Sequence, residues 1–243
     1  MTPPLFVVAA LGAGDTVELT GAEAHHAGTV KRLSVGELAW LADGRGALAE
    51  ARVVEVSRDR VLFQVLLRRQ LPEPQPRFTV VQALPKGERA ELAVELLTEL
   101  GVDEIVPWAS ARSVAVWRDA KAVRGVQRWR RTALEAAKQS RRSRIPTVTE
   151  LADTAAVAGR VAAAATAIVL DSDAELALAA IEPPASGEVL LVVGAEGGLA
   201  AEELELFIGH GGQPARLGSE VLRTSTAGAA ALAVLSARAG RWQ

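Results

Sequence analysis

The hydropathy pattern changes character near residue 71. Before it, short β-prone runs at 5–8, 16–19, 37–40, 49–56 and 60–67 alternate with turns. Asp43-Gly-Arg-Gly46 falls between two of these runs and predicts a hairpin. Together they predict a small β-barrel over residues 1–71. Leu71-Pro-Glu-Pro-Gln-Pro76 then interrupts helix and ladder alike, which predicts a stiff linker over 72–77. From Phe78 the pattern becomes strand–helix alternation. It predicts a strand at 78–84, a helix at 88–100 closed by Gly101, and a strand at 102–106. A long helix follows from Lys121 to about Ser140, then strands at 167–170, 189–193 and 215–217 with helices between and after them. Such alternation predicts an α/β domain over 78–243 whose mostly parallel sheet is covered on both faces.

Two turns in the last third of the chain stand where such a sheet holds a ligand, after the carboxyl ends of buried strands. The first is Gly194-Ala-Glu-Gly-Gly198; the second runs through Leu217-Gly-Ser-Glu-Val-Leu-Arg-Thr224. The first has neither the G-x-G-x-x-G spacing nor G-K-[ST], and it sets Glu196 among its glycines. A carboxylate there repels a pyrophosphate. A ligand with a cationic amine or sulfonium, and an adenine held by backbone groups, fits better.

Composition narrows the chemistry further. The chain has no cysteine, which removes disulfides, Cys-ligated metal and a thiolate nucleophile. No run of about 18 apolar residues and no signal segment is present, so the chain reads as soluble and cytoplasmic. The formal net charge is −2, yet nine Lys and Arg residues between Lys121 and Pro146 face Glu135 alone. An unbalanced basic window of that kind is the footprint of a phosphate-backbone binder, whereas a merely solvated helix face usually interleaves acids with bases.

The two turns resemble those of the RsmE family, the SPOUT-class methyltransferases of uracil N3 in 16S ribosomal RNA. Ala83-Leu-Pro-Lys-Gly-Glu-Arg89, Glu99-Leu-Gly-Val102 and Gln139-Ser-Arg-Arg-Ser-Arg-Ile-Pro146 add to the likeness, with His25, Val30-Lys-Arg-Leu33 and Gly36 towards the N-terminus. The resemblance runs in order along nearly the whole chain. It implies a PUA-like N-terminal RNA-binding module, a deep trefoil knot in the C-terminal domain, and a homodimer with its active site at the subunit interface. It implies S-adenosyl-L-methionine as cofactor, held around Leu170, Gly194, Glu196, Gly197, Gly198, Leu217, Gly218 and Leu222. Ala195 replaces the family's proline in the first turn. The implied partner is 16S ribosomal RNA or the small ribosomal subunit, gripped by Arg32, Lys86, Arg89, Lys138, Arg141, Arg142 and Arg144.

Arg223 and Glu196 are the candidate catalytic residues. Uracil N3 carries a proton, so methylation needs a base or a cation that stabilises the developing anion. The planar fork of Arg223 suits the second task, and Glu196 suits the first. Each also has a plainer reading, Arg223 as a salt bridge or phosphate contact and Glu196 as a brace for its own loop. Where the family commonly has Arg-x-Glu-Thr-Ala, this chain has Arg223-Thr-Ser-Thr-Ala227, and Ser225 supplies no carboxylate. Ser225 reads instead as a helix N-cap. His25, His26 and His210 form no metal-ligand set, and no metal is expected. Trp117 and Trp129 flank the basic segment, where core packing is the expectation over stacking on bases. Two rival functions remain: a SPOUT ribose 2′-O-methyltransferase, and a non-catalytic RNA-binding or ribosome-assembly protein.

Overall fold

The structure, a computed structural model, describes residues 3–87 and 89–242. The chain divides into two compact units. One runs to Glu73 and takes in Ala137–Ile145; the other holds Pro74–Ala136 and the chain from Pro146 onward. This division differs from the sequence expectation in one respect. A nine-residue piece inside 78–243 belongs with the N-terminal unit, because the backbone of Ile145 bonds to Gly44 and that of Gly46 to Ser143.

In the first unit, strands β1 (Leu5–Val7), β2 (Thr16–Thr20), β3 (Leu38–Ala42), β4 (Ala47–Val56) and β5 (Arg60–Gln70) form one sheet in the order β1-β3-β4-β5-β2. All pairs are antiparallel except β1 with β3. The hairpin expected at Asp43-Gly-Arg-Gly46 joins β3 to β4. Alternate residues point inward, so Ala39 and Leu41, Ala49, Ala51 and Val53, and Val61 and Phe63 share one core. A short helix α1 (Gly21–His25) continues into a π-turn at His26–Val30, so both neighbouring histidines sit in helical backbone.

The second unit is a six-stranded parallel sheet. Its strands are β6 (Arg77–Ala83), β7 (Glu104–Trp108), β8 (Thr147–Val148), β9 (Thr166–Leu170), β10 (Glu188–Val193) and β11 (Gln213–Ala215), in the order β11-β9-β10-β6-β7-β8. Strand β10 reads as an unbroken apolar run from Val189 to Val193 because both faces are covered, while its neighbour β6 buries Thr79 and Gln82 among apolar residues. Val80 and Leu191 face a core shared with helices α2 (Arg89–Glu99), α3 (Asp119–Gln139) and α6 (Thr224–Arg238). Val81 and Val192 face the opposite core, beneath α4 (Thr154–Ala163) and α5 (Ala201–Gly209). The helix expected at 88–100 is α2 from Arg89; Glu88 lies outside the described residues.

Several boundaries move for physical reasons. The strand expected at 102–106 begins at Glu104, because Val102 donates to Leu97 O and Gly101 to Thr98 O, closing α2 with Gly101 at φ +95°. The strand expected at 215–217 ends at Ala215, where its partner β9 ends at Leu170. Leu217 is thereby released towards the site. Strand β8 went unforeseen; two residues pairing with an edge strand leave no periodic signal. Trp117 and Trp129 pack on each other edge to face at 5.4 Å, and Gly125 leaves the space Trp117 fills. No helix among the described residues is long and apolar enough to cross a membrane.

Candidate active site

Strands β9, β10 and β11 end at Leu170, Val193 and Ala215, and all three residues line one cavity of about 370 Å³. That volume lies in the ordinary range for small-molecule sites, at the strand ends where an open parallel sheet binds ligands. Leu170, Gly194, Glu196, Gly198, Leu217, Gly218, Leu222 and Arg223 all line it. Gly197 does not; its carbonyl instead accepts a hydrogen bond from Arg112 Nη1 at 2.8 Å. Arg89, expected to contact RNA, lines the cavity as well.

The first turn is held from several directions. Glu196 Oε1 accepts the backbone N–H of Lys86 at 2.9 Å, tying the first turn to the loop before α2 rather than to its own backbone. Thr224 Oγ donates to Gly194 O at 2.6 Å and accepts from the buried amide of Gln82 at 3.0 Å. Glu203, buried despite its charge, accepts from Ala200 N at 3.1 Å, Ala111 N at 2.7 Å and Thr154 Oγ at 3.1 Å. Buried carboxylates survive when their oxygens are satisfied in this way. Within the turn, Gly198 adopts φ +74°, a conformation that favours glycine.

Arg223 immediately precedes α6 and serves as its N-cap by backbone alone. Its side chain is exposed at the cavity with no hydrogen bond or ion pair among the described residues. The N-cap reading of Ser225 is corrected: the cap is Arg223, two residues earlier, the helix starts at Thr224, and Ser225 is buried inside its first turn.

The basic segment is not one uniform surface. Lys138 is buried against Glu23 at 2.6 Å, which removes its ammonium from any exposed phosphate-binding set. Arg144 donates to Leu71 O at 2.7 Å and packs over Gly46, so it too is structural. Arg142 is half-buried, with its backbone N–H on Ala137 O. Arg128 and Arg130 pair with Glu91 and Glu150. Arg32, Lys86 and Arg141 are exposed, as are Lys121, Arg124 and Arg131. Among the described residues no cluster of three or more His, Asp or Glu could hold a metal ion.

Sequence reasoning missed Arg112, Glu203, Asp171 and Glu220. Glu203 carried a legible signal, an acid three residues into a helix beginning after Ala200. Arg112 carried none, since its partner lies 85 residues away.

The family model for an RNA methyltransferase domain matches residues 72–236, and that for an RNA methyltransferase PUA domain matches 19–66. The chain is 42% identical over 247 residues to the ribosomal RNA small subunit methyltransferase E of Mycobacterium bovis, spanning 100% of this chain and 94% of that one. It belongs to the ribosomal RNA small subunit methyltransferase E family. The Bacillus subtilis member is 32% identical, with 91% of this chain and 90% of the relative aligned. A crystal structure of the Neisseria gonorrhoeae member, bound to S-adenosyl methionine, superposes with a TM-score of 0.85 at 26% identity, covering 97% of this chain and 98% of that one. The first unit is therefore a small PUA-like domain, and the second the family's methyltransferase domain.

The donor set suits the methyl donor that this family member carries. Leu170, Val193, Leu217 and Leu222 offer an apolar wall for an adenine, and the strand ends present backbone groups for its edge. Asp171, Glu196 and Glu220 stand against two arginines, a balance that tolerates a cationic sulfonium and amine.

Proposed function

We propose that this protein methylates N3 of a uridine in 16S ribosomal RNA, using S-adenosyl-L-methionine. The observation that carries the reading is Arg223, unpaired among the described residues, at the mouth of a cofactor-sized cavity in a chain of this family. Bound there, the cofactor supplies an electrophilic methyl group on a sulfonium.

Arg223 offers two parallel N–H groups to a uracil carbonyl, stabilising the negative charge that grows on the ring as N3 gives up its proton. Glu196 keeps one carboxylate oxygen on the Lys86 amide and uses the other to accept that proton. The absence of a carboxylate at Ser225 is thereby met by a group on the opposite turn. Leu170, Gly194, Glu196, Gly197, Gly198, Leu217, Gly218 and Leu222 hold the cofactor, Gly197 indirectly through its bond to Arg112.

The RNA is held by exposed cations, of which Arg32, Lys86 and Arg141 keep their expected role. The domain limits are 1–71 and 78–243 joined by 72–77, with 137–145 contributed back to the first domain. A homodimer is supported by Val221 and Leu222, apolar and exposed at the cavity. A trefoil knot is supported by the insertion of β10 between β9 and β6, and by α6, which follows β11 yet bonds back to Gly194 through Thr224. A cytoplasmic location follows from a ribosomal RNA substrate.

Mass mapping of modified nucleosides in ribosomal RNA from a deletion strain tests the reading. Loss of N3-methyluridine, restored by the gene, is the expected result. Loss of a ribose 2′-O-methyl group would install the rival enzyme. No change in any methylated nucleoside would leave an RNA-binding or assembly protein.

A further inference from the structure

We infer that the first unit carries a second ligand site, a pocket that takes one nucleotide of the RNA other than the one methylated. The inference rests on the reading above only in taking RNA as the substrate. The pocket has a volume of about 560 Å³, within the range of small-ligand sites. None of the residues that line the cofactor cavity lines it.

Its chemistry is divided as a nucleotide's is. Pro4, Leu5, Leu33 and Leu38 supply apolar surface, and the His26 ring is fixed edge to face against Phe6 at 5.9 Å. Bases unstacked from RNA are commonly received on such surfaces and on flat rings. Lys31 and Arg141, both exposed, bring cations to the same pocket, with Glu37 as the one lining acid among the described residues. The carboxylate of Glu37 is engaged by the Ser34 amide at 3.0 Å.

Three further observations mark the pocket as built. Lys138 lines it as a buried ammonium locked to Glu23, which fixes the wall that carries Arg141. Arg32 and Arg141 hold φ values of +54° and +57°, a left-handed backbone that any side chain makes less favourable and that glycine would occupy more easily. Strained residues of this kind persist where surroundings over-determine them, and they gather at binding sites. Finally, Lys138, Gln139 and Arg141 lie outside the stretch 19–66 matched by the PUA model, so the PUA-like fold does not make this pocket alone.

Free nucleotides share this chemistry, but the surroundings favour a nucleotide within a chain. Val30 and Val35, next to the lining residues in sequence, are 63% and 66% exposed, extending the apolar surface beyond what one base covers.

The test uses the full chain, 16S ribosomal RNA substituted with 4-thiouridine, and uridine 5′-monophosphate as competitor. Two variants separate the two halves of the site. Lys31→Ala with Arg141→Gly removes both cations, glycine being chosen because it keeps φ +57° without strain. Leu38→Ala trims a partly exposed apolar wall and leaves charge unchanged. The cation variant should flatten the salt dependence of RNA affinity by up to about 1.4 log–log units, for two single-strand phosphate contacts. Leu38→Ala should weaken RNA about fivefold with an unchanged salt slope. Photocrosslinks should map to residues 26–38 and 138–141, and the monophosphate should compete only weakly.

A flattened slope with Leu38→Ala at full affinity would reduce the site to a charged surface and overturn the pocket. Crosslinks confined to other segments would overturn it as well. Monophosphate binding as tight as RNA would assign the pocket to a free nucleotide instead. These readouts are binding measurements, so a wild-type protein that fails to methylate ribosomal RNA would sink the proposed function and leave this test intact.

Discussion

The two turns that meet at the cofactor cavity are built in opposite ways. Residues 194–200 are tied down by three separate parts of the chain, through Lys86, Arg112 and Thr224, and by Glu203 of the helix that follows. Residues 217–222 have no hydrogen bond among the described residues, and Val221 is 83% exposed. One side of the site is preformed. The other is left to be ordered by cofactor, RNA or a second copy of the chain. Ala195 sharpens the contrast, because a turn without proline has more backbone freedom to lose and is held here by bonds from outside. A preorganised turn fits the recognition of a constant cofactor, and a loose one fits a step that waits for RNA.

The largest effect that tests this contrast is expected at Arg223, which ends the loose turn. Arg223→Ala should lower single-turnover methylation roughly a hundredfold or more, about 3 kcal/mol, and change adenosylhomocysteine affinity little. Arg223→Lys should recover little, because a point charge does not reproduce the fork. Equal losses in cofactor affinity and turnover would place Arg223 in cofactor binding and dissolve the distinction between the turns.

Thr224→Val comes next. It removes the donor to Gly194 O and leaves the buried Gln82 amide without that acceptor, so unfolding should cost about 1–3 kcal/mol less. The melting temperature and cofactor affinity should fall together. A variant as stable as the parent would show that the first turn is not braced from α6.

The smallest effects belong to the outer braces. Glu196→Ala should weaken adenosylhomocysteine about tenfold through loss of the Lys86 contact, about 1.4 kcal/mol. Its effect on turnover at saturating cofactor reports separately on the proton acceptor. Arg112→Ala breaks an exposed bond to Gly197 O and should weaken the cofactor only about threefold, with Arg112→Lys restoring part of it. Calorimetry measures both. A larger loss at Arg112 than at Glu196 would reverse the order of importance of the two braces.

The two turns were legible in the sequence because each is local: strand, turn and helix follow one another within a segment, and the turns are marked by glycine and by Glu196. The eight residues placed at the cofactor came from the family resemblance rather than from periodicity, and seven of them line the cavity. The RNA expectations were less legible. Charge along a helix says nothing of which side chain is buried, and Lys138 and Arg144 proved to be structural because Glu23 and Leu71 meet them from distant parts of the chain.

The chain's own order of apolar and polar positions thus determined the two regimes, the parallel sheet buried on both faces and the two ligand turns, since each depends on neighbours within a few residues. Tertiary structure alone decided that 137–145 joins the first unit, that Arg89 enters the cofactor cavity, that Arg112 holds the first turn, and that Glu203 reaches Ala111. Each of these depends on contacts between segments tens of residues apart. Such contacts exist only once the sheet has set its strand order, and periodicity along the chain carries no record of them.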